Sequence, residues 1–167
     1  MKESETTKVE GTTDINLHRE GTPAAWILVV DDDHDLRKLC IDVLVDSGYE
    51  VTAVADGAAG WEELQTNRYD LVVTDNSMPK MTGVEMIERM RGACLSLPVI
   101  MATGCLPTQV FARKPWLQPD ATLDRPFSNE DLLRTVKKVL RTDRAKDFLL
   151  AHNLHVSETA YEAGCHL

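Results

Sequence analysis

The sequence has few of the features that mark disulfide frameworks, membrane spans or nucleic-acid binding. Its four cysteines are widely spaced and form no C-x-x-C pair, so neither a zinc ribbon nor a dithiol redox motif is predicted. No apolar run approaches the length that crosses a bilayer and no secretory leader is recognisable, which favours a cytoplasmic protein without a membrane partner. Acidic residues outnumber basic ones by 27 to 18, and the net charge of −9 argues against binding to nucleic acid.

What the chain does have is enough apolar sequence for one ordinary domain. Its 167 residues, 43% of them hydrophobic, are sufficient for a domain with a core and some additional chain. We predict a disordered, polar N-terminal arm over residues 1–24 and a folded domain over residues 25–142. Residues 143–167 are predicted to form a C-terminal helical extension.

Within the domain, short apolar runs alternate with segments of helical period. Strands are predicted at residues 26–30, 50–55, 70–74, 98–103 and 121–124. Helices are predicted at residues 35–47, 58–67, 83–91, 108–113 and from a cap at Ser128 to about Arg141. Five β-α units with short connections predict an α/β fold, a doubly wound parallel sheet with helices on both faces.

Two of these strands end in carboxylates. The first is followed directly by Asp31, Asp32 and Asp33, and the third is followed by Asp75. The carboxyl ends of parallel strands face one crevice, where carboxylates repel one another unless a cation lies between them. The pattern predicts a site for Mg²⁺, which prefers oxygen ligands, with Asp75 available as a nucleophile. Asp33 is interpreted as a loop residue or a helix start instead of a ligand.

Two further strand ends carry groups that suit a phosphoryl group. Thr103 ends the fourth strand with a hydroxyl, and Arg125 follows the fifth strand with a cation. A hydroxyl and a guanidinium can both donate hydrogen bonds to phosphoryl oxygens.

Taken together, these motifs resemble the receiver domain of bacterial two-component response regulators, of the chemotaxis-receiver type. The resemblance extends over residues 26–141 and rests on an ordered set of pieces. They are Ile27-Leu28-Val29-Val30-Asp31-Asp32, Asp70-Leu71-Val72-Val73-Thr74-Asp75, Met78-Pro79 with Gly83, Leu97-Pro98-Val99-Ile100-Met101-Ala102-Thr103, and Arg125-Pro126-Phe127.

The resemblance implies a flavodoxin-like sheet of strand order 2-1-3-4-5 and a set of site roles. Asp75 matches the phosphoacceptor, which takes a phosphoryl group from a histidine kinase or a phosphotransfer protein. Asp31 and Asp32 match the acidic pair that organises Mg²⁺, and Ser77 matches the residue whose main-chain carbonyl completes that metal site. Thr103 matches the hydroxyl that follows the phosphoryl group.

It also implies a signalling domain, not a conventional enzyme, that switches a surface for a downstream protein partner. Pro126 matches a cis-proline. Three positions depart from the pattern: Arg125 replaces a lysine, Thr122 replaces an aromatic residue, and Asp124 replaces an apolar residue and could pair with Arg125. Because arginine is planar and fork-shaped, that exchange is not conservative.

Two alternative functions remain open at this stage. The departures at Arg125 and Thr122 fit a pseudo-receiver, a binding module of the same fold without phosphotransfer. A haloacid-dehalogenase-like phosphatase is the other alternative, because Asp31-x-Asp33 after a strand and Thr103 after a later strand superficially resemble that family. It would leave Asp75 without a role.

The C-terminal extension also has two interpretations. Val156-x-Glu158-x-Ala160-x-x-x-Gly164 is similar in spacing to part of the helix-turn-helix region of the arabinose-regulator family. The chain stops where a recognition helix would begin, so base readout is not expected. The other interpretation is a polar helix that packs on the domain or pairs with a second copy as a homodimer.

Overall fold

A computed structural model describes residues 25–151 of the protein. The predicted N-terminal arm lies outside the described residues, as does the chain beyond residue 151 with the helix-turn-helix resemblance. The strands are β1 (Trp26–Val30), β2 (Glu50–Val54), β3 (Leu71–Thr74), β4 (Val99–Thr103) and β5 (Ala121–Asp124). The helices are α1 (His34–Asp46), α2 (Gly57–Thr66), α3 (Gly83–Gly92), α4 (Thr108–Arg113) and α5 (Asn129–Ala151), with a 3₁₀ turn at Pro115–Leu117.

The five strands form one parallel sheet of order β2-β1-β3-β4-β5, which confirms the predicted fold. The order changes direction at β1 and β3, and ligands of doubly wound folds bind where it does so. In register, Val30 of β1 faces both Val54 and Thr74, while Thr103 faces Asp124. The last residues of all five strands therefore lie along one edge, and the residues that follow them surround one crevice.

Alternating side chains of the central strands enter two separate core layers. Ile27 and Val29 pack with α1 and α5, whereas Leu28 and Val30 pack with α2 and α3 on the opposite face. Because β1, β3 and β4 are covered on both faces, their sequences are continuous apolar runs. A layer of helices on each face fixes the sheet, and with it the positions of the strand ends.

Helix α5 is longer than the sequence pattern predicted. The predicted end near Arg141 is wrong, because α5 continues without a break to Ala151. No proline or glycine interrupts residues 129–151, so the backbone has no reason to stop at the basic residues. The boundary predicted at residue 142 falls inside this helix. Among the helices described between residues 25 and 151, none combines the length and the apolar character needed to cross a membrane.

Candidate functional site

Three carboxylates meet at the carboxyl edge of the sheet. The N–H groups of Asp31 and Asp75 donate to Val54 and Val30 at 3.1 and 3.0 Å, so both residues extend the sheet's hydrogen-bonding pattern by one position. Asp31, Asp32 and Asp75 each bring a carboxylate oxygen within 4.8 Å of the others. Asp31 and Asp75 are buried and Asp32 is exposed. The structure thus brings together the three acids predicted to form the metal site.

The guanidinium of Arg125 lies between the two buried carboxylates. Its Nη2 donates to Asp31 Oδ2, and its Nη1 lies 3.2 Å from Asp75 Oδ2. The local ion pair of Arg125 with Asp124 considered from the sequence is not formed, because Arg125 faces the crevice and the Asp124 side chain is exposed. The peptide bond between Arg125 and Pro126 is cis, as the family resemblance implied.

Asp31 occupies the most constrained position in the cluster. Burial raises its pKa above the usual range for an aspartate, and the carboxylates of Asp75 and Asp32 act in the same direction. The cation of Arg125 and a hydrogen bond from the Asp33 N–H oppose this effect. The main-chain carbonyl of Asp31 also accepts a 2.6 Å hydrogen bond from Arg37 Nη1. Burial and the two neighbouring acids thus disfavour the charged form of Asp31, and the Arg125 guanidinium favours it.

The fourth neighbouring acid, Asp33, is a helix cap. Its carboxylate accepts from the N–H groups of Asp35 and Leu36 at 2.9 and 3.1 Å, and these bonds lower its pKa. It thereby satisfies N–H groups that have no partner at the start of α1. The structure therefore gives Asp33 a local role at the start of α1, and one of the two acids on which the phosphatase alternative rests is engaged there.

A tight loop after β3 holds Asp75 in the crevice. The N–H of Asn76 donates to Asp75 Oδ1, and the Asn76 carbonyl and side chain accept from Gly83 and Val84 at 3.1 and 3.2 Å. Ser77 is exposed within this loop, and the role predicted for its carbonyl stays a prediction.

The remaining predicted groups lie at the ends of β4 and β5. Thr103 is buried, its Oγ1 accepts from the Cys105 N–H at 3.4 Å, and its carbonyl accepts from the Arg125 N–H at 3.3 Å. A main-chain hydrogen bond thus links Thr103, which carries the hydroxyl, to Arg125, which carries the guanidinium. Thr122 is exposed and lines a depression beside α4 with Leu106 and Phe111, where an aromatic side chain was expected from the family.

An ion pair between Asp56 and Lys80 was missed in the sequence analysis. Asp56 is buried after β2, accepts from the Ala59 N–H at 2.9 Å as the cap of α2, and pairs with Lys80 Nζ at 2.7 Å. It connects the loop after β2 to the loop that carries Asp75. The signal was present, since Asp56 is an acid two residues after the end of β2.

Replacing Asp56 by alanine is expected to lower the free energy of unfolding by about 1–2 kcal/mol at pH 7, because it removes a helix cap and an ion pair. The pKa of Asp56 is lowered by Lys80 and by the N–H of Ala59. Its contribution is therefore complete above the ordinary aspartate pKa of about 4 and is lost as the pH falls below it.

Urea unfolding at pH 7 and pH 3 measures both effects. Asp42→Ala, at an exposed position of α1, is the control. A deficit in Asp56→Ala as large at pH 3 as at pH 7 would contradict the electrostatic explanation.

The chain is similar to proteins of known family over most of its length. A family model described as the response regulator receiver domain matches residues 27–137. The response regulator receiver protein CpdR of Brucella abortus is 31% identical over 114 residues, which cover 68% of this chain and 95% of CpdR. Several other curated relatives are transcriptional regulatory proteins, and this chain matches between 48% and 61% of their length.

Solved structures agree with these matches. The chemotaxis protein CheY4 of Vibrio cholerae is 31% identical, with a TM-score of 0.64 over 70% of this chain and 98% of CheY4. The response regulator TrrA of Thermotoga maritima, solved in complex with Mg²⁺ and BeF, is 28% identical. Its TM-score is 0.61 over 69% of this chain and 98% of TrrA.

Proposed function

This chain belongs to the response regulator receiver family, and on that basis we propose that it is a phosphoacceptor domain of a two-component system. Asp75 accepts a phosphoryl group from a histidine kinase or a phosphotransfer protein. The observation that carries the proposal is the convergence of Asp31, Asp32 and Asp75 in one crevice with the Arg125 guanidinium between them. That combination suits a site that binds an anionic group beside a cation.

Asp75 is the best-placed nucleophile. It is buried at the end of β3, and the Asn76 N–H holds its Oδ1 and so orients the carboxylate. A carboxylate oxygen of Asp75 attacks phosphorus, and the bond from phosphorus to the donor breaks as the donor leaves. Arg125 and the Thr103 hydroxyl then hold the equatorial phosphoryl oxygens.

The residues of the crevice fit Mg²⁺. The three side-chain candidates are carboxylates, and each has an oxygen within 4.8 Å of the others. Asp31, Asp32 and Asp75 would hold the ion together with the main-chain carbonyl of Ser77. When bound, Mg²⁺ would neutralise the negative charges of Asp75 and of the incoming phosphoryl group.

The proposal includes partners. Phosphorylation shifts the domain between two conformations and alters a surface that a downstream protein contacts. The protein acts in the cytoplasm, where histidine kinases deliver the phosphoryl group. Because this chain matches only about half the length of its relatives that regulate transcription, control of transcription is not part of the proposal.

Incubation with acetyl phosphate and Mg²⁺ tests the proposal. We expect intact-mass spectrometry to detect one phosphoryl adduct, lost on treatment with hydroxylamine as an acyl phosphate should be, and absent in EDTA. Peptide mapping should assign it to Asp75. Complete absence of an adduct with acetyl phosphate, and of any response to beryllofluoride, would contradict the proposal and favour the pseudo-receiver.

The same samples discriminate the phosphatase alternative. Steady turnover of a phosphate ester that survives Asp75→Asn but not Asp31→Asn would favour it. A phosphoacceptor domain should instead take up one phosphoryl group per molecule and show no such turnover.

A further inference from the structure

Arg125 already occupies the carboxylates that the proposed function assigns to a metal ion. Its two terminal nitrogens contact Oδ2 of Asp31 and Oδ2 of Asp75. The Oδ1 atoms of the same two carboxylates accept from the N–H groups of Asp33 and Asn76. All four oxygens of the buried acids therefore have a protein partner. Of the three clustered acids, only Asp32 is exposed to solvent.

We infer that Arg125 competes directly with the divalent cation for Asp31 and Asp75. The guanidinium bridges the two acids in the structure, and it leaves at least one of them when the cation binds. The inference rests on the proposed function, because it concerns regulation of the same site. To the phosphoryl contact already given under the proposed function it adds a counter-ion role for Arg125 before the cation binds.

The charges of the site favour competition over joint binding. Three carboxylates carry three negative charges, of which one guanidinium compensates one. A divalent cation placed on the same oxygens lies within a few ångströms of the guanidinium, and like charges at such distances in a partly buried site repel each other strongly. The Arg125 side chain is only 20% exposed, so water screens little of this repulsion.

The hydrogen bonding of Arg125 is incomplete, which favours release of the guanidinium from the two acids. Its Nε is buried and has no hydrogen-bond partner among residues 25–151. A buried donor without a partner carries a desolvation cost, so only part of the hydrogen-bonding capacity of the guanidinium is satisfied in this position. A lysine, with one nitrogen on a flexible stem, would not fork between two carboxylates in this way.

Titration of the purified chain with MgCl₂ by isothermal calorimetry tests the competition. We expect Arg125→Gln to bind Mg²⁺ about tenfold more tightly than the native chain, or better, because the competing cation is gone. Arg125→Lys, which keeps the charge without the fork, should fall between them. Arg134→Gln is the matched control, since Arg134 pairs with Asp131 on the exposed surface of α5.

Thermal unfolding provides a second readout without phosphotransfer. In EDTA, Arg125→Gln should unfold at a temperature about 5 °C or more below the native chain, because two buried carboxylates lose their counter-ion. Saturating Mg²⁺ should raise its unfolding temperature more than it raises that of the native chain. Arg134→Gln should follow the native chain in both conditions.

The outcomes separate the inference from the proposed function. Equal or weaker Mg²⁺ binding by Arg125→Gln, with binding by the native chain, would overturn the competition and leave the phosphoacceptor proposal standing. Binding by Arg125→Gln alone would support the competition and contradict Mg²⁺-dependent phosphorylation of the native chain. Binding by neither protein would overturn both.

Discussion

Asp75→Asn is expected to reduce phosphoryl uptake from acetyl phosphate by about a hundredfold or more, because an amide oxygen cannot replace a carboxylate as the nucleophile. The fold should persist. Asparagine has the same shape, its oxygen can accept the hydrogen bond from the Asn76 N–H, and Arg125 keeps its contact with Asp31. Losing one of three clustered negative charges also removes repulsion. Intact-mass spectrometry measures uptake, and circular dichroism checks the fold.

Asp124→Asn is the control for this substitution. Asp124 precedes Arg125 in the chain but is exposed, and the guanidinium pairs with Asp31 and Asp75 instead. Its loss should leave uptake within about twofold of the native rate, since a solvated charge is largely screened. Undiminished uptake in Asp75→Asn, or an adduct mapped to another residue in the native chain, would show that the acceptor has been misassigned.

Gly83→Ala is expected to lower the free energy of unfolding by about 2–4 kcal/mol and to impair phosphoryl uptake as well. A Cβ at this position would lie 2.2 Å from the main-chain oxygen of Asp75 and 3.1 Å from the Cα of Asn76. Both atoms belong to the backbone, so no side-chain rotation relieves the contact. The start of α3 and the Asp75 loop must separate, which moves the acceptor carboxylate.

Gly92→Ala is the matched control because Gly92 ends the same helix, and a Cβ there meets nothing within 4 Å. Alanine has a higher helix propensity than glycine, so this change should be neutral or stabilising by up to about 1 kcal/mol. Urea unfolding of the two variants and the native chain measures the difference. If both variants changed stability in the same direction and amount, helix propensity would explain the result and the close contact would not.

Much of the fold follows from local patterns in the sequence. The continuous apolar runs before Asp31, before Asp75 and up to Thr103 are those of strands buried on both faces, and the structure has strands at all three. Helix α4 and strand β5 have the predicted bounds. Prolines on both sides limit α4, and charged residues flank β5. Where helical spacing and turn residues agree, local sequence was sufficient.

The end of α5 shows where local signals fail. Basic residues near the end of a predicted helix favour termination only weakly, because they complement the helix dipole without breaking the backbone pattern. The chain from residue 142 to 151 contains no proline or glycine, and the helix continues through it. Helical structure was predicted on both sides of residue 142, and what the charges concealed is that the two segments form one continuous helix up to Ala151.

The amino-acid sequence by itself determined that this protein has a doubly wound sheet, with acids and a hydroxyl at the ends of its strands. Period-2 and period-3.6 patterns are local, and parallel pairing brings every strand's carboxyl end to one edge. The tertiary structure alone decided how the charges pair. Asp31 and Arg125 are 94 residues apart, and nothing local indicates that the guanidinium reaches across the crevice to Asp31 and Asp75 instead of its neighbour Asp124. Ion pairing depends on distances and burial that exist only after the strands have assembled. The pairing of Arg125 with the two buried acids could therefore not be predicted from the sequence.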